Sequence, residues 1–517
     1  MVDTSKGFTS IVSPNSKIIP VLIFGILTLF IYYNVGVFDH IKDKPNSVHT
    51  WAQSDRASVA ACYFNEDMNF FKPRIYNRSN GNNPGICGME FPIINYTAAI
   101  CYKVFGFQEM YYRLINFILL FGGLIAAFQL CNIFIKDVII SATIVWLFMM
   151  SHVLFFYSAN FLPDTGSLGL VLISWYLFFR MGLKPGNRIT FLFFIIISLA
   201  CLIKVTSMVS LIAMVILIAA RHFYFIQSDG IPKFNRQILI GFVICLVSVF
   251  AWYRYAAWLN DTYQNYFFIM KANTIASAVE LRQILRQIYA GNFIDYYPLL
   301  MKQLIAVSFG IFVISIFAQN RMLALVFILL LLGFAGFAFA MLKQFKDHDY
   351  YIIAMMPVVF FLFLANGEFI KRKLKPGGIF YVVIISVLLV VVNMSMILCK
   401  KFYQNKRYGK GYYFISYWEY DRFTNMGPYL DSISVGRNDK VITYYDLTPN
   451  ASLYLLNRKG TTVKYGDIGR LNSLISTNNF KYLIINDTAR FTKELFSFLE
   501  GKKVADKYRL QVYRLHE

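Results

Sequence analysis

The chain alternates between long apolar runs and short polar joints. Eleven such runs fall at about 18–38, 111–135, 138–158, 165–183, 189–204, 205–220, 237–258, 300–318, 322–342, 350–369 and 378–398. Most approach the roughly 20 residues that a helix needs to cross a bilayer core. They show neither the alternation nor the 3.6-residue period of an element with one solvated face. The pattern predicts a polytopic α-helical membrane protein with about 11 transmembrane helices. Two long polar stretches interrupt it, 39–109 and 259–299, and the chain turns markedly more polar after residue 400. The expected division is a transmembrane domain over 1–400 and a second domain over 401–517. Strand-like runs at 440–445 and 482–485, with helical segments near 467–477 and 489–500, predict that the second is a small α/β domain.

Charge sets the expected orientation. Lys6 and Lys17 precede the first run, and no small-residue cleavage site follows it, so it reads as a retained anchor. Lys136, the pair Lys184 and Arg188, the group Arg221, Lys233 and Arg236, then Arg321, and finally Lys371, Arg372, Lys373 and Lys375 occupy alternate joints. Basic residues in short loops mark the cytoplasmic side. The N-terminus is therefore expected inside. The loops 39–109 and 259–299, the turns near 158–164 and 343–349, and the C-terminal domain are expected outside, at the inner or plasma membrane. Within the first long loop, 53–65 and 91–105 have helical spacing but are too short and polar to span. They are expected to lie along the interface, joined by an Asn- and Gly-rich turn over 77–88.

Composition narrows the function classes. Hydrophobic residues make up 57% of the 517 and charged residues 15%, against about a quarter charged in soluble domains. A net charge of +22 would suggest nucleic acid in a soluble protein. Here the cations flank apolar runs, where they meet lipid headgroups, so the expected partners are membrane lipids and no nucleic acid. The 51 Phe and 35 Tyr suit interfacial belts. Four of the seven cysteines, Cys131, Cys201, Cys245 and Cys399, lie in or beside apolar runs. Cys62, Cys87 and Cys101 share the first long loop, and a disulfide among them stays open. Sequons at Asn95 and Asn260 are too common by chance to mark a compartment.

Candidate chemistry gathers on the outer side. Asp55 lies in Trp51-Ala52-Gln53-Ser54-Asp55-Arg56, and Glu90 in Glu90-Phe91-Pro92. Asp164 follows Pro163 in a turn between two spans. Lys343, Lys346, His348, Asp349, Tyr350 and Tyr351 precede a late span, and Lys204 separates two apolar runs. Each has a plain alternative. Asp55, Glu90 and Asp164 are at home near helix N-termini, the group at 343–349 reads as a solvated cluster, and Lys204 as a snorkelling side chain. Taken together they bring carboxylates and cations to one face, as transfer from a phosphate-linked donor requires. A carboxylate takes the acceptor's proton, and cations or a carboxylate-held metal neutralise the leaving phosphate.

Gln53-x-Asp55, Glu90-Phe91-Pro92, Tyr102-Lys103-Val104-Phe105-Gly106, Pro163-Asp164 and His348-Asp349-Tyr350-Tyr351 occur here in that order. Their combination resembles the GT-C glycosyltransferases, in the branch of protein O-mannosyltransferases and lipid A aminoarabinose transferases, over roughly residues 18–370. The resemblance implies a polyprenyl-phosphate sugar donor, transfer with inversion and a cavity at the outer membrane face. It implies Asp55 as catalytic acid/base, with Glu90 and Asp164 in support; Gln53, Asp349, Tyr350 and Lys204 are further candidates. The aminoarabinose transferases carry Lys after the acid of the second motif, where this chain has Phe91. The phosphate contact then falls to Arg56, Lys343, Lys346 or His348. No cofactor is expected to be required, although Mg²⁺ or Mn²⁺ stays open. The acceptor, whether a protein hydroxyl, lipid A or a cell-envelope glycan, stays open too. A glycan ligase or polymerase would use similar donors, but an acidic motif immediately after the first span favours GT-C. A transporter predicts mid-span charges and inverted repeats, and neither is evident.

Overall fold

The computed structural model describes residues 15–79, 81–268, 274–374, 378–408, 414–486, 488 and 491–516; Lys6 and Lys375 lie outside the described residues. Helix α1 (Asn15–Val35) precedes two helices of the first long loop, α2 (Thr50–Asn65) and α3 (Ile93–Phe105). Then come α4 (Met110–Ile135), α5 (Val138–Met149), α6 (His152–Ser158), α7 (Asp164–Leu183), α8 (Asn187–Ile203), α9 (Met208–His222) and α10 (Arg236–Tyr263). The second long loop forms α11 (Ala278–Ala290) and α12 (Asn292–Tyr296), followed by α13 (Leu299–Ile314), α14 (Arg321–Phe345), α15 (Met356–Lys373) and α16 (Ile379–Arg407).

Every expected apolar run is helical, but the runs are unequal. Eight segments among the described residues are long and apolar enough to cross a membrane, which makes the chain an integral, multi-pass membrane protein. The run 138–158 is instead broken into α5 and α6, bent by 84°. Ser151 causes the break: its Oγ accepts from Leu154 N–H and restarts the helix, while donating to Tyr296 O at 2.8 Å. α8 and α13 are shorter apolar helices. Helices α4 and α7 pack with backbones in contact. A Cβ on Gly169 would lie 2.1 Å from Leu119 O, and one on Gly123 would lie 2.4 Å from Gly169 Cα. Such small-residue contacts replace the hydrophobic drive that lipid removes.

The two sets of loops gather at separate ends. At one, Lys371 pairs with Asp137 at 2.9 Å and Arg372 Nη2 donates to Ala318 O at 2.6 Å. At the other, the two long loops interlock: Asn83 Nδ2 donates to Tyr263 O at 2.7 Å, and Gly88 N to Asn260 Oδ1 at 2.7 Å. Both sequon asparagines are buried there, Asn95 and Asn260 alike. Cys62, Cys87 and Cys101 are free thiols.

The first helix of the loop, α2, departs from its expected interfacial placement, whereas α3 keeps Ile100, Val104 and Phe105 exposed. α2 is buried on all sides from Ala52 to Tyr63, because α3 and the C-terminal unit both pack on it. That unit opens with α17 (Phe414–Ser432). It continues as β1 (Val441–Tyr444), α18 (Ala451–Leu456), β2 (Gly460–Val463), α19 (Ile468–Ser476), β3 (Tyr482–Ile485), α20 (Lys493–Leu499), β4 (Lys503–Lys507) and β5 (Leu510–Arg514). Its sheet runs β2-β1-β3-β5-β4, with β2, β1 and β3 parallel and β5 antiparallel to β3 and β4. Alternation along the strands divides the core. Ile442, Tyr444, Leu483 and Ile485 pack with α19 and α20. Val441 and Ile484 join a core continuous with the membrane helices. The turn 77–88 docks on the edge of β2, where Arg78 N donates to Gly460 O at 2.6 Å and Gly460 N to Tyr76 O at 3.1 Å.

Candidate active site

A cavity of about 300 Å³ lies where α2, the α2–α3 loop, the start of α7, the α8–α9 junction and the turn before α15 converge. Asp55, Arg56, Glu90, Asp164, Lys204 and Tyr350 all line it. Their arrangement argues against simple helix capping. α2 starts at Thr50, a full turn before Asp55, and α3 starts after Glu90 with no acid in its first turn. Asp164 does sit in the first turn of α7, but it is bound to a cation.

Two ion pairs and one unpaired acid make up the charge. Arg56 Nε and Nη2 both reach Glu90 Oε1 at 2.8 Å, and Arg56 Nη1 donates to Ala52 O at 3.1 Å. Burial opposes ionisation of Glu90, yet Arg56 and Lys204 together outweigh it and hold the carboxyl below its usual range. Lys204 Nζ meets Asp164 Oδ1 at 3.1 Å, leaving Asp164 Oδ2 buried without a partner. Asp55 is 1% exposed, and its Oδ1 has no hydrogen-bond partner. Burial pushes its carboxyl up to about 8; Arg56 lowers it, and Asp446 and Glu90 raise it further. A buried acid with an open valence and a raised proton affinity, facing a cavity, suits a proton-transfer group.

The other expected residues fall elsewhere. Lys343 pairs with Glu280 at 2.7 Å and Lys346 lies 3.8 Å from Asp347; neither lines the cavity. His348 stacks among Trp51, Tyr350 and Tyr351, with ring centroids 5.4–5.5 Å away. Burial, then the neighbouring His49, lowers it to about 4, which favours the neutral ring at pH 7. Gln53 Nε2 donates to Asn46 O and Val48 O, each at 2.9 Å, tying the loop to α2. Asp349 bonds Lys406, His49 and Tyr157 away from the cavity.

Several cavity residues gave no signal along the chain. Ser167 and Ser207 share a 2.8 Å hydrogen bond, and Tyr253, Phe267 and Phe268 come from distant elements. Asn95 supports the site from behind, with Nδ2 donating to Arg56 O at 2.8 Å. Asp446 did have a legible signal: it follows β1 at the carboxyl end of a parallel strand, where α/β sheets place functional groups.

No family model matches the chain, and no curated protein does. Solved structures do. ArnT from Cupriavidus metallidurans in the apo state aligns at 14% identity over 96% of this chain and 98% of that one, with a TM-score of 0.60. The same protein bound to undecaprenyl phosphate aligns at 13% over 95% and 98%, with a TM-score of 0.63. The archaeal oligosaccharyltransferase AglB from Archaeoglobus fulgidus, in complex with an inhibitory peptide and a dolichol-phosphate, aligns at 11% over 90% and 69%, with a TM-score of 0.51. The chain thus shares the fold of ArnT.

Proposed function

We propose that this chain is an inverting glycosyltransferase that moves a sugar from a polyprenyl-phosphate-linked donor to an extracytoplasmic hydroxyl, with Asp55 as general base. The observation that carries this reading is one cavity holding an unpartnered carboxyl group and two cations. The fold neighbours add support, since ArnT binds undecaprenyl phosphate and AglB a dolichol-phosphate. The acceptor oxygen attacks the anomeric carbon as its bond to the phosphate oxygen breaks. Asp55 takes the hydroxyl proton, and the electron pair leaves on the phosphate, which Arg56 and Lys204 neutralise. Glu90 and Asp164 hold those two cations in place. Arg56 and Lys204 thereby fill the role left open by Phe91. The donor's hydrocarbon follows the apolar wall of Leu330, Phe337 and Met341. The site faces outward, the transmembrane domain spans about 1–400 with α16 running on to Arg407, and the outer domain follows from α17.

Side-chain cations suffice in this scheme. Glu90 and Asp164 already hold one each, so a divalent ion at this trio would compete with Arg56 and Lys204 for their carboxylates. The test is the mass of the product formed from a labelled polyprenyl-phosphate sugar and cell-envelope extract, with purified wild type and Asp55→Asn side by side. Product from wild type alone supports the reading, and equal product from both removes Asp55 from it. Transfer unchanged by EDTA is expected; a loss restored by Mn²⁺ would put a metal into the mechanism.

A further inference from the structure

The C-terminal domain reaches α2 beside the site at the turn between β1 and α18. Asp446 follows β1, and the chain from there to Asn450 leads into α18. Asn450 Nδ2 donates to Ser58 Oγ at 2.8 Å and to Ser54 O at 3.3 Å, gripping α2 on both sides of Asp55. Ser58 Oγ in turn donates to the carbonyl of Asp55 at 2.8 Å. The turn is stiffened from within. Asp446 Oδ1 accepts from Thr448 N at 2.8 Å and Thr448 Oγ1 at 2.7 Å, and its Oδ2 accepts from Ser452 N at 2.9 Å. Asp446 and Asn450 are both buried.

We propose that Asp446 and Asn450 are positioning residues for the transfer reaction, through which the C-terminal domain holds Asp55 at the cavity. The inference rests on the reading of Asp55 as the base. The groups facing Asp55 come from every element around it: Arg56 from α2, Cys87 and Glu90 from the α2–α3 loop, and Asp446 from the outer domain. Burial keeps the Cys87 thiol well above its ordinary range and therefore neutral. Arg56 favours the ionised form of Asp55, while Glu90 and Asp446 add to burial in opposing it. Removing the Asp446 charge, or admitting water by releasing Asn450, lowers the proton affinity of Asp55.

The test is an infrared pH titration of the full-length protein in lipid nanodiscs. It follows the protonated-carboxyl band that Asp55→Asn abolishes. The wild-type midpoint is expected near pH 8. In Asp446→Asn and Asn450→Ala it is expected to fall by on the order of half a pH unit or more. Ser58→Ala removes the acceptor of the Asn450 bond with little change in volume, and it shifts the midpoint the same way if the other variants fail to fold. An unmoved midpoint in the folded variants overturns the inference. The titration needs no donor, so two failures are separable. If Asp55→Asn still transfers sugar, the base assignment falls and this inference with it. If transfer is lost while the midpoint stays fixed, only this inference falls.

Discussion

Asp349 and Asp55 are buried to the same degree, at 2% and 1% exposure, and their surroundings are opposite. Asp349 is saturated: Tyr157 donates at 2.6 Å, His49 lies at 3.2 Å, and Lys406 closes the other oxygen. Lys406 also reaches Asp295 at 3.5 Å. This cluster ties α16, α6, the second long loop and the entry to α2 to the turn that carries Tyr350. Asp55 has a carboxyl oxygen with no partner and a cavity in front of it. Both acids were candidates in the sequence, and the difference in partners is the basis on which we propose different roles for them. A buried charge with every valence filled holds elements together. One left open pays a desolvation cost that only a ligand or a proton relieves.

The largest expected effect separates the two. Asp55→Asn should slow transfer by about 100- to 10,000-fold, the range for a general base, with an unfolding temperature at or above wild type because a buried unpaired acid is gone. Asp349→Asn should instead destabilise the protein by on the order of 3 kcal/mol, since it strips a buried lysine of its main counter-charge. Thermal unfolding in detergent and a transfer assay on the same preparations read both outcomes. Equal destabilisation by the two variants would break the comparison.

Much of this division was legible along the chain. The apolar runs located each of the eight candidate membrane helices among the described residues, because bilayer thickness imposes a length that local pattern alone reveals. Motif order brought Asp55, Glu90, Asp164 and Arg56 forward, and Lys204 stood out as a lone charge between spans. Three things were hidden for physical reasons. Ser151 restarts a helix with a hydroxyl that also fits a straight span. The burial of α2 depends on a domain about 400 residues later in the chain, so α2 reads as interfacial. Lys343 and Lys346 looked like phosphate ligands because sequence reveals a charge but not its partner, and Glu280 lies in the other long loop.

A smaller effect tests the cations. Lys204→Met keeps an unbranched side chain one atom shorter and removes its charge, leaving Asp164 unpaired at the cavity. Transfer is expected to fall about 100-fold, comparable to losing one donor to a developing anion. Near-normal transfer would leave Arg56 alone on the phosphate. The pH dependence tests Asp55 without a change at the cations. The base must be ionised, so kcat/KM is expected to rise through about pH 8 in the free enzyme. The stability slope has the opposite sense. Asp55 holds its proton more tightly in the folded chain than the ordinary value of 3.8 allows, so the folded state binds the extra proton between about 4 and 8. Stability therefore falls as pH rises across that window, and Asp55→Asn should flatten the slope. A wild-type slope retained in Asp55→Asn would assign it to another group.

The smallest expected effect concerns Lys343. Its motif places it beside His348 and Asp349, and its charge suits a phosphate, yet its ammonium meets Glu280 at 2.7 Å and lies off the cavity wall. An ion pair this accessible contributes little to stability and is screened by salt. Lys343→Ala should therefore leave kcat within about twofold of wild type, where Lys204→Met loses far more. A modest rise in KM for the donor would fit a contact between α11 and α14 that shapes the cavity mouth from outside. A fall in kcat as large as that of Lys204→Met would mean that Lys343 leaves Glu280 for the phosphate when the donor binds. It would then belong with Arg56 and Lys204, and partner saturation in the empty site would no longer separate structural from chemical charges.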